Sequence, residues 1–95
     1  MLSENQIQTI IEVMKPYHPK KISVFGSFSR GQEKAESDID ILYEFSQPIS
    51  LFEKASIKEL LELKLRKGVD LISEKYLNAD FRDNILQDLK IIYGS

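Results

Sequence analysis

Residues 22–45 of the chain read ISVFGSFSRGQEKAESDIDILYEF. Two runs of β-branched and aromatic residues flank a segment rich in Gly, Ser and charged residues. Because residues of the first kind favour strands and those of the second favour turns, the pattern predicts two strands. Between them we expect a tight turn over residues 26–31 that leads into one or two helical turns, and then a polar surface loop over residues 32–37. We expect the first strand over residues 21–25 and the second over residues 39–45, with Asp38 and Asp40 at its start.

The flanking sequence carries two signatures of a helix start. In a capping box, Ser is followed three residues later by Gln or Glu, and each side chain accepts a hydrogen bond from the other residue's backbone amide. The pairs here are Ser3 with Gln6 and Ser50 with Glu53. Apolar residues at helical spacing follow both pairs, which predicts a helix over residues 4–15 and another that runs to about Lys67 and is stopped by Gly68. The leucines expected in the core are Leu60, Leu61, Leu63 and Leu65.

The C-terminal part of the sequence predicts one more strand and one more helix. Residues 69–72 form a short apolar run that carries Asp70, and apolar residues at helical spacing predict a last helix over residues 80–93. The resulting order, α-β-α-β-α-β-α, indicates an α/β (α+β) fold. With 42% hydrophobic residues in 95, the chain can bury one modest core, so we expect a single domain over residues 1–95.

The amino-acid composition indicates which kinds of partner and which cellular location to expect. The formal net charge of -2 argues against direct binding to nucleic acid, which needs an excess of basic residues. The absence of Cys excludes disulfides, thiolate metal sites and thiol nucleophiles. The N-terminal residues contain no continuous apolar block of the kind found in secretory signals or membrane spans. We therefore expect a cytoplasmic protein that does not bind membranes. We also expect a partner molecule to supply the group on which any catalytic site acts, since so short a chain leaves little room for a separate domain that recognises it.

Asp38 and Asp40 are the first candidates for chemistry. Residues two apart on a strand point to the same face, with Cα atoms about 6.6 Å apart. Taken alone, such a pair is most simply a solvated strand start. Two carboxylates aimed at one place repel each other unless a cation lies between them, and their oxygen ligands favour Mg²⁺ or Mn²⁺. Two such ions about 3.5 to 4 Å apart can activate an attacking hydroxyl and stabilise a leaving pyrophosphate.

Asp70 supplies a third acidic residue within an apolar strand. If the third strand lies beside the second, Asp70 could complete the ligand set of a metal ion, or it could accept the proton of an acceptor hydroxyl. A carboxylate satisfied by backbone amides is the structural alternative.

The turn after the first strand is a candidate phosphate site. Gly26 lacks a Cβ, so the backbone can approach a phosphate, and the amides that follow can bind its oxygens. The Ser27 hydroxyl and the Arg30 guanidinium are polar groups that could contact a triphosphate. Ser27 could also cap a helix, and Arg30 could equally be an ordinary surface cation.

These residues form one pattern: Gly26-Ser27, ten intervening residues, Asp38-Ile39-Asp40, and later Val69-Asp70-Leu71. The pattern resembles the signature of the DNA polymerase beta-like nucleotidyltransferase superfamily, and the strings GSFSRG, SDIDILYEF and VDLIS resemble its minimal, MNT-type branch. The resemblance implies a palm-like mixed β-sheet flanked by helices. It also implies that Gly26 and Ser27 bind the triphosphate, and that Asp38, Asp40 and Asp70 bind two Mg²⁺ ions.

The resemblance further implies a function. MNT-type proteins often pair with a HEPN-domain ribonuclease toxin and act as its antitoxin, transferring AMP from ATP to a toxin tyrosine, so we expect ATP and such a toxin as partners, in a hetero-oligomer. Two alternatives stay open: nucleotidyl transfer to a small molecule such as an aminoglycoside, and a non-catalytic antitoxin that neutralises its partner by docking.

Overall fold

The computed structural model describes residues 2–26, 28, 31, 34, 37–77 and 79–94, apart from the side chains of residues 79–81 and 84. Within that part of the chain there are three α-helices and four strands. They are α1 (Glu4–Met14), β1 (Pro19–Phe25), β2 (Ile39–Phe45), α2 (Leu51–Leu65), β3 (Val69–Ser73), α3 (Ala79–Gln87) and β4 (Lys90–Gly94). Short 3₁₀ turns follow α1 and β3. No helix in the described ranges is both long and apolar enough to cross a membrane.

The strands form one sheet in the order β3-β2-β1-β4. β1 pairs antiparallel with both β2 and β4, whereas β2 pairs parallel with β3. The predicted mixed sheet is therefore confirmed. The register places Asp40 of β2 between Phe25 of β1 and Asp70 of β3.

The two faces of the sheet are covered by different helices. One face carries Ile22, Ile41 and Leu71, which pack with α1 and α2 in the main core. The opposite face carries Phe25 and Leu42, which pack with apolar residues of α3 and of the segments beside it. Because side chains alternate along a strand, Asp40 and Asp70 lie on the α3 face, with Leu42 and the partly buried Ile72. The main core, with α1 and α2, and the side chains of Asp40 and Asp70 thus lie on opposite faces of the sheet.

Both predicted capping boxes are confirmed. The Gln6 amide donates to Ser3 Oγ at 3.2 Å, and the Ser3 amide donates to Gln6 Oε1 at 2.8 Å. The reciprocal bonds at the start of α2 measure 3.0 Å from the Glu53 amide to Ser50 Oγ and 2.9 Å from the Ser50 amide to Glu53 Oε1. These bonds set where α1 and α2 begin.

The predictions for the end and the buried face of α2 were partly wrong. The helix ends at Leu65, and Arg66 is its C-cap in the left-handed conformation, with φ of 57°. Gly68 therefore does not terminate the helix. Leu61 and Leu65 are buried as expected, but Leu60 and Leu63 are 41% and 74% exposed, because the core stripe follows the spacing Ile57, Leu61, Leu65 instead.

The predicted last helix was wrong beyond its first half. α3 ends at Gln87, and residues 90–94 form β4, which pairs with the free edge of β1. The β-branched Ile91 and Ile92 suit a strand, and pairing with β1 outweighs the helical spacing of Leu89 and Ile92. The observed order among the described residues is α-β-β-α-β-α-β. The helical turns predicted between the first two strands fall largely outside the described residues.

Ser23 is a buried polar residue with a testable consequence. It is fully buried in β1, opposite Leu42, and its hydroxyl has no hydrogen-bond partner in the part of the chain described. Since an unpaired buried hydroxyl is destabilising, Ser23→Ala should raise the free energy of unfolding by about 1 kcal/mol in urea denaturation. The exposed Ser46→Ala is the control and should stay within about 0.5 kcal/mol of wild type. A clear loss of stability in Ser23→Ala would contradict this reading.

Candidate functional site

The acidic residues lie near one end of the sheet. Asp40 and Asp70 are register partners on adjacent parallel strands, so their side chains leave the same face side by side. Asp38 directly precedes β2 and lies two residues before Asp40, which keeps it on the same side by strand alternation. Asp38 and Asp70 are exposed and Asp40 is half-buried. The carboxylates therefore lie at the accessible end of the strands.

Gly26 brings the turn after β1 against this end of the sheet. Its φ of 77° is in the left-handed region, which favours glycine. A Cβ at this position would collide with Asp40 Oδ2 and would lie 3.4 Å from Asp40 Cγ. The candidate phosphate turn and the candidate metal ligand are thus in direct contact, and only glycine permits that approach.

Gly68 makes a second contact of this kind, which the sequence did not lead us to expect. A Cβ at Gly68 would collide with Asp38 Oδ1 and would lie 2.9 Å from Asp38 Cγ. The sequence pattern was interpreted as a helix stop, so the role of this glycine beside an acidic residue was missed. Its position one residue before a strand that carries Asp70 is the signal that could have indicated the role.

Ser27 and Arg30 lie outside the described residues, so their predicted contacts with a triphosphate remain predictions. Phe28, between them, is 3% exposed and belongs to the main core. The Lys67 ammonium lies 5.5 Å from the centroid of its ring, within the range of a cation–π contact. The turn is thereby anchored by Phe28 and linked to the segment before β3.

The acidic side chains at this end of the sheet are candidate ligands for a divalent cation. The described residues contain no group of three or more His, Asp or Glu placed closely enough to hold a metal ion. Mg²⁺, however, usually keeps several of its water ligands and takes one or two carboxylates together with substrate phosphates. An opposed pair of carboxylates beside a glycine turn, with oxygen donors alone, fits that mode of binding. The residues present are therefore suited to Mg²⁺ or Mn²⁺.

A separate cleft of about 450 Å³ lies at the other end of the strands. It is lined partly by Lys20, Tyr43, Tyr76 and Arg82. Burial raises the pKa of the Tyr43 hydroxyl, and the neighbouring Tyr76 raises it further. None of the candidate acidic residues lines this cleft, so it is distinct from the carboxylate end of the sheet.

The chain is similar to known proteins in both sequence and fold. Residues 8–95 match the family described as Polymerase beta, Nucleotidyltransferase. The protein adenylyltransferase MntA of Thermococcus cleftensis is 32% identical over 94 residues, which cover 94% of this chain and 95% of that protein.

Two solved structures extend the comparison. A crystal structure of a toxin–antitoxin with AMP-PNP has a chain that is 26% identical, with a TM-score of 0.82 over 99% of this chain and 75% of that chain. A chain in the complex of the tri-AMPylated Shewanella oneidensis HEPN toxin with its MNT antitoxin is 19% identical, with a TM-score of 0.79 over 99% of this chain and 74% of that chain; this likeness concerns the fold alone.

The family model matches most of the chain, and the similarity to MntA extends over nearly its full length. The chain therefore belongs to the polymerase beta nucleotidyltransferase family, in the branch of minimal nucleotidyltransferases that includes the protein adenylyltransferase MntA.

Proposed function

We propose that this protein is an antitoxin that transfers AMP from ATP to a tyrosine hydroxyl of a HEPN-domain toxin. The observation that carries the proposal is the pairing of Asp40 with Asp70 beside the Gly26 turn, in a chain 32% identical over 94 residues to a protein adenylyltransferase. A neighbour of the same fold occurs in a complex with a tri-AMPylated HEPN toxin, which supports the choice of acceptor.

Asp38, Asp40 and Asp70 would hold the divalent cations, with Mg²⁺ as the first choice and Mn²⁺ as a substitute. When bound, the two ions supply charge stabilisation for the attacking and leaving oxygens. The exposed position of Asp38 and Asp70 leaves room for the triphosphate and for cation-bound water. Asp40 and Asp70 are register partners on adjacent strands, so both carboxylates could contribute oxygen ligands to a cation.

The turn at Gly26 would hold the triphosphate of ATP. The missing Cβ allows the Gly26 backbone to lie against Asp40 and would allow a phosphate to approach it closely. Ser27 and Arg30 follow directly and supply a hydroxyl and a guanidinium to the same anion. The toxin–antitoxin structure with AMP-PNP, at 26% identity, supports an adenine nucleotide as the donor.

The transfer itself needs an acceptor oxygen in line with the leaving pyrophosphate. The tyrosine oxygen bonds to the α-phosphorus, the bond from that phosphorus to the bridging oxygen breaks, and pyrophosphate leaves. The tyrosine proton passes to a carboxylate, for which Asp70 is placed on the strand next to Asp40. Because these residues lie at an exposed end of the sheet, a side chain on the surface of another protein can reach them.

Removing the negative charge of Asp38 and Asp40 tests the enzymatic role. The double variant Asp38→Asn, Asp40→Asn keeps the side-chain shape but weakens cation binding, so transfer of labelled AMP to the toxin should fall by about 100-fold or more. The measurement is label transfer from ATP in the presence of Mg²⁺. Glu59→Gln is the matched control, because Glu59 is exposed on α2, on the other side of the sheet, and should leave transfer unchanged.

The same variants separate catalysis from docking. If the Asp38→Asn, Asp40→Asn protein loses label transfer yet still rescues growth of cells that express the toxin, neutralisation works by docking and the adenylylation role in neutralisation is contradicted. Labelling of an aminoglycoside in place of the toxin by the wild-type protein would contradict the proposed acceptor.

Gly26→Ala tests the approach of the turn to Asp40. The left-handed φ makes alanine unfavourable by about 1–2 kcal/mol, and the new methyl group would displace the Asp40 carboxylate. We expect lower stability in urea denaturation and weaker binding of a Mn²⁺–ATP analogue in calorimetry. Gly31→Ala is the control for backbone strain, since Gly31 also has a left-handed φ, of 71°. Equal losses of nucleotide affinity in the two variants would contradict a specific role for Gly26.

A further inference from the structure

Asp38 lies beside Gly68, which is in the backbone segment that precedes β3. It precedes β2, and the next residue, Ile39, donates its amide to the Gly68 carbonyl at 2.9 Å. Gly68 lies against the Asp38 carboxylate so closely that a Cβ would lie 2.9 Å from Asp38 Cγ. Gly68 therefore bonds to the residue that follows Asp38 and also lies against the Asp38 carboxylate.

The segment that carries Gly68 is itself held from α2. Glu62 Oε2 accepts a hydrogen bond from the Val69 amide at 3.0 Å, and the Glu62 carbonyl accepts one from the Arg66 amide at 2.9 Å. Both ends of the turn over residues 66–69 are thus bonded to the same helical residue. The turn is also linked to Phe28 through the Lys67 ammonium. Gly68 cannot easily retreat from Asp38, so the carboxylate must occupy the space that Gly68 leaves.

The backbone of Gly68 does not require glycine. Unlike Gly26, it has no φ in the left-handed region, so an alanine would be compatible with its conformation. The need for a glycine at position 68 therefore comes from the Asp38 side chain. This separates a steric effect on one carboxylate from the backbone strain that would accompany Gly26→Ala.

We propose that Gly68 is a positioning residue that sets the direction of the Asp38 carboxylate for divalent-cation binding, and that Glu62 holds Gly68 in place. The proposal rests on the proposed function, in which Asp38 is a cation ligand. The bonds of Glu62 and the close approach of Gly68 correspond to the outer-shell contacts that orient metal ligands in other sites, where their loss weakens metal affinity about 10- to 100-fold.

The test compares the Gly68→Ala chain with wild type by two measurements. Crystal structures report the position of the Asp38 carboxylate, and electron paramagnetic resonance reports Mn²⁺ affinity in the presence of a non-hydrolysable ATP analogue. We expect the carboxylate to turn away from residue 68 and Mn²⁺ affinity to fall about tenfold or more, with the circular dichroism spectrum retained. An unmoved carboxylate, or unchanged Mn²⁺ affinity, would overturn the role of Gly68.

Two variants at Glu62 test whether its hydrogen bond with the Val69 amide holds Gly68 in place, without adding volume near Asp38. Glu62→Gln keeps an oxygen that can accept from the Val69 amide, whereas Glu62→Ala removes it. Mn²⁺ affinity should fall in the alanine variant and be largely retained in the glutamine variant. Retained affinity in both would overturn the role of Glu62. Wild-type protein that binds no Mn²⁺ would contradict the proposed function itself. If wild type and the Gly68→Ala variant bind Mn²⁺ equally well, only the positioning role of Gly68 is overturned.

Discussion

The parallel pairing of β2 with β3 puts Asp40 directly across from Asp70 and so creates the acidic end of the sheet. Two parallel neighbours need a crossover connection, and α2 supplies it while burying Ile57, Leu61 and Leu65 against the sheet. A shift of the register by one residue would turn one of the two carboxylates into the apolar core. Burial of the helix face against the strands and alignment of the acidic residues are therefore consequences of the same packing.

Two glycines lie close to two of the acidic residues. Gly26 lies against Asp40, and Gly68 lies against Asp38, each so closely that a side chain would collide with the carboxylate. Each glycine therefore limits where the neighbouring carboxylate can lie. Under the proposed function, these carboxylates would bind the cation together with the phosphates of the nucleotide.

Much of this arrangement follows from local signals in the sequence. The capping boxes at Ser3 and Ser50 set the helix starts, and β2 was predicted with its observed bounds because its apolar run is bordered by polar residues. The placement of Asp70 beside Asp40 was conditional on which strands pair, and that depends on contacts between distant residues. β4 was missed for the same reason, since the pairing with β1 that stabilises it cannot be inferred from the helical spacing of its own apolar residues.

The parts of the site that escaped prediction depend on close contacts between backbone and side chain. Gly68 was interpreted through its own neighbourhood as a helix stop, but Arg66 takes the left-handed cap and Gly68 instead leaves space for Asp38. The carboxylate of Glu62, on α2, accepts a hydrogen bond from the Val69 amide at the start of β3. Such contacts join two segments that are separate in the sequence, so the spacing of residues along one segment does not predict them.

The most direct test of the central claim is anomalous diffraction from crystals grown with Mn²⁺ and a non-hydrolysable ATP analogue. The structure predicts Mn²⁺ signal bounded by Asp38, Asp40 and Asp70, with the triphosphate on the Gly26 turn. Mn²⁺ signal away from these carboxylates, or a nucleotide in the cleft lined by Tyr43 and Tyr76, would contradict it.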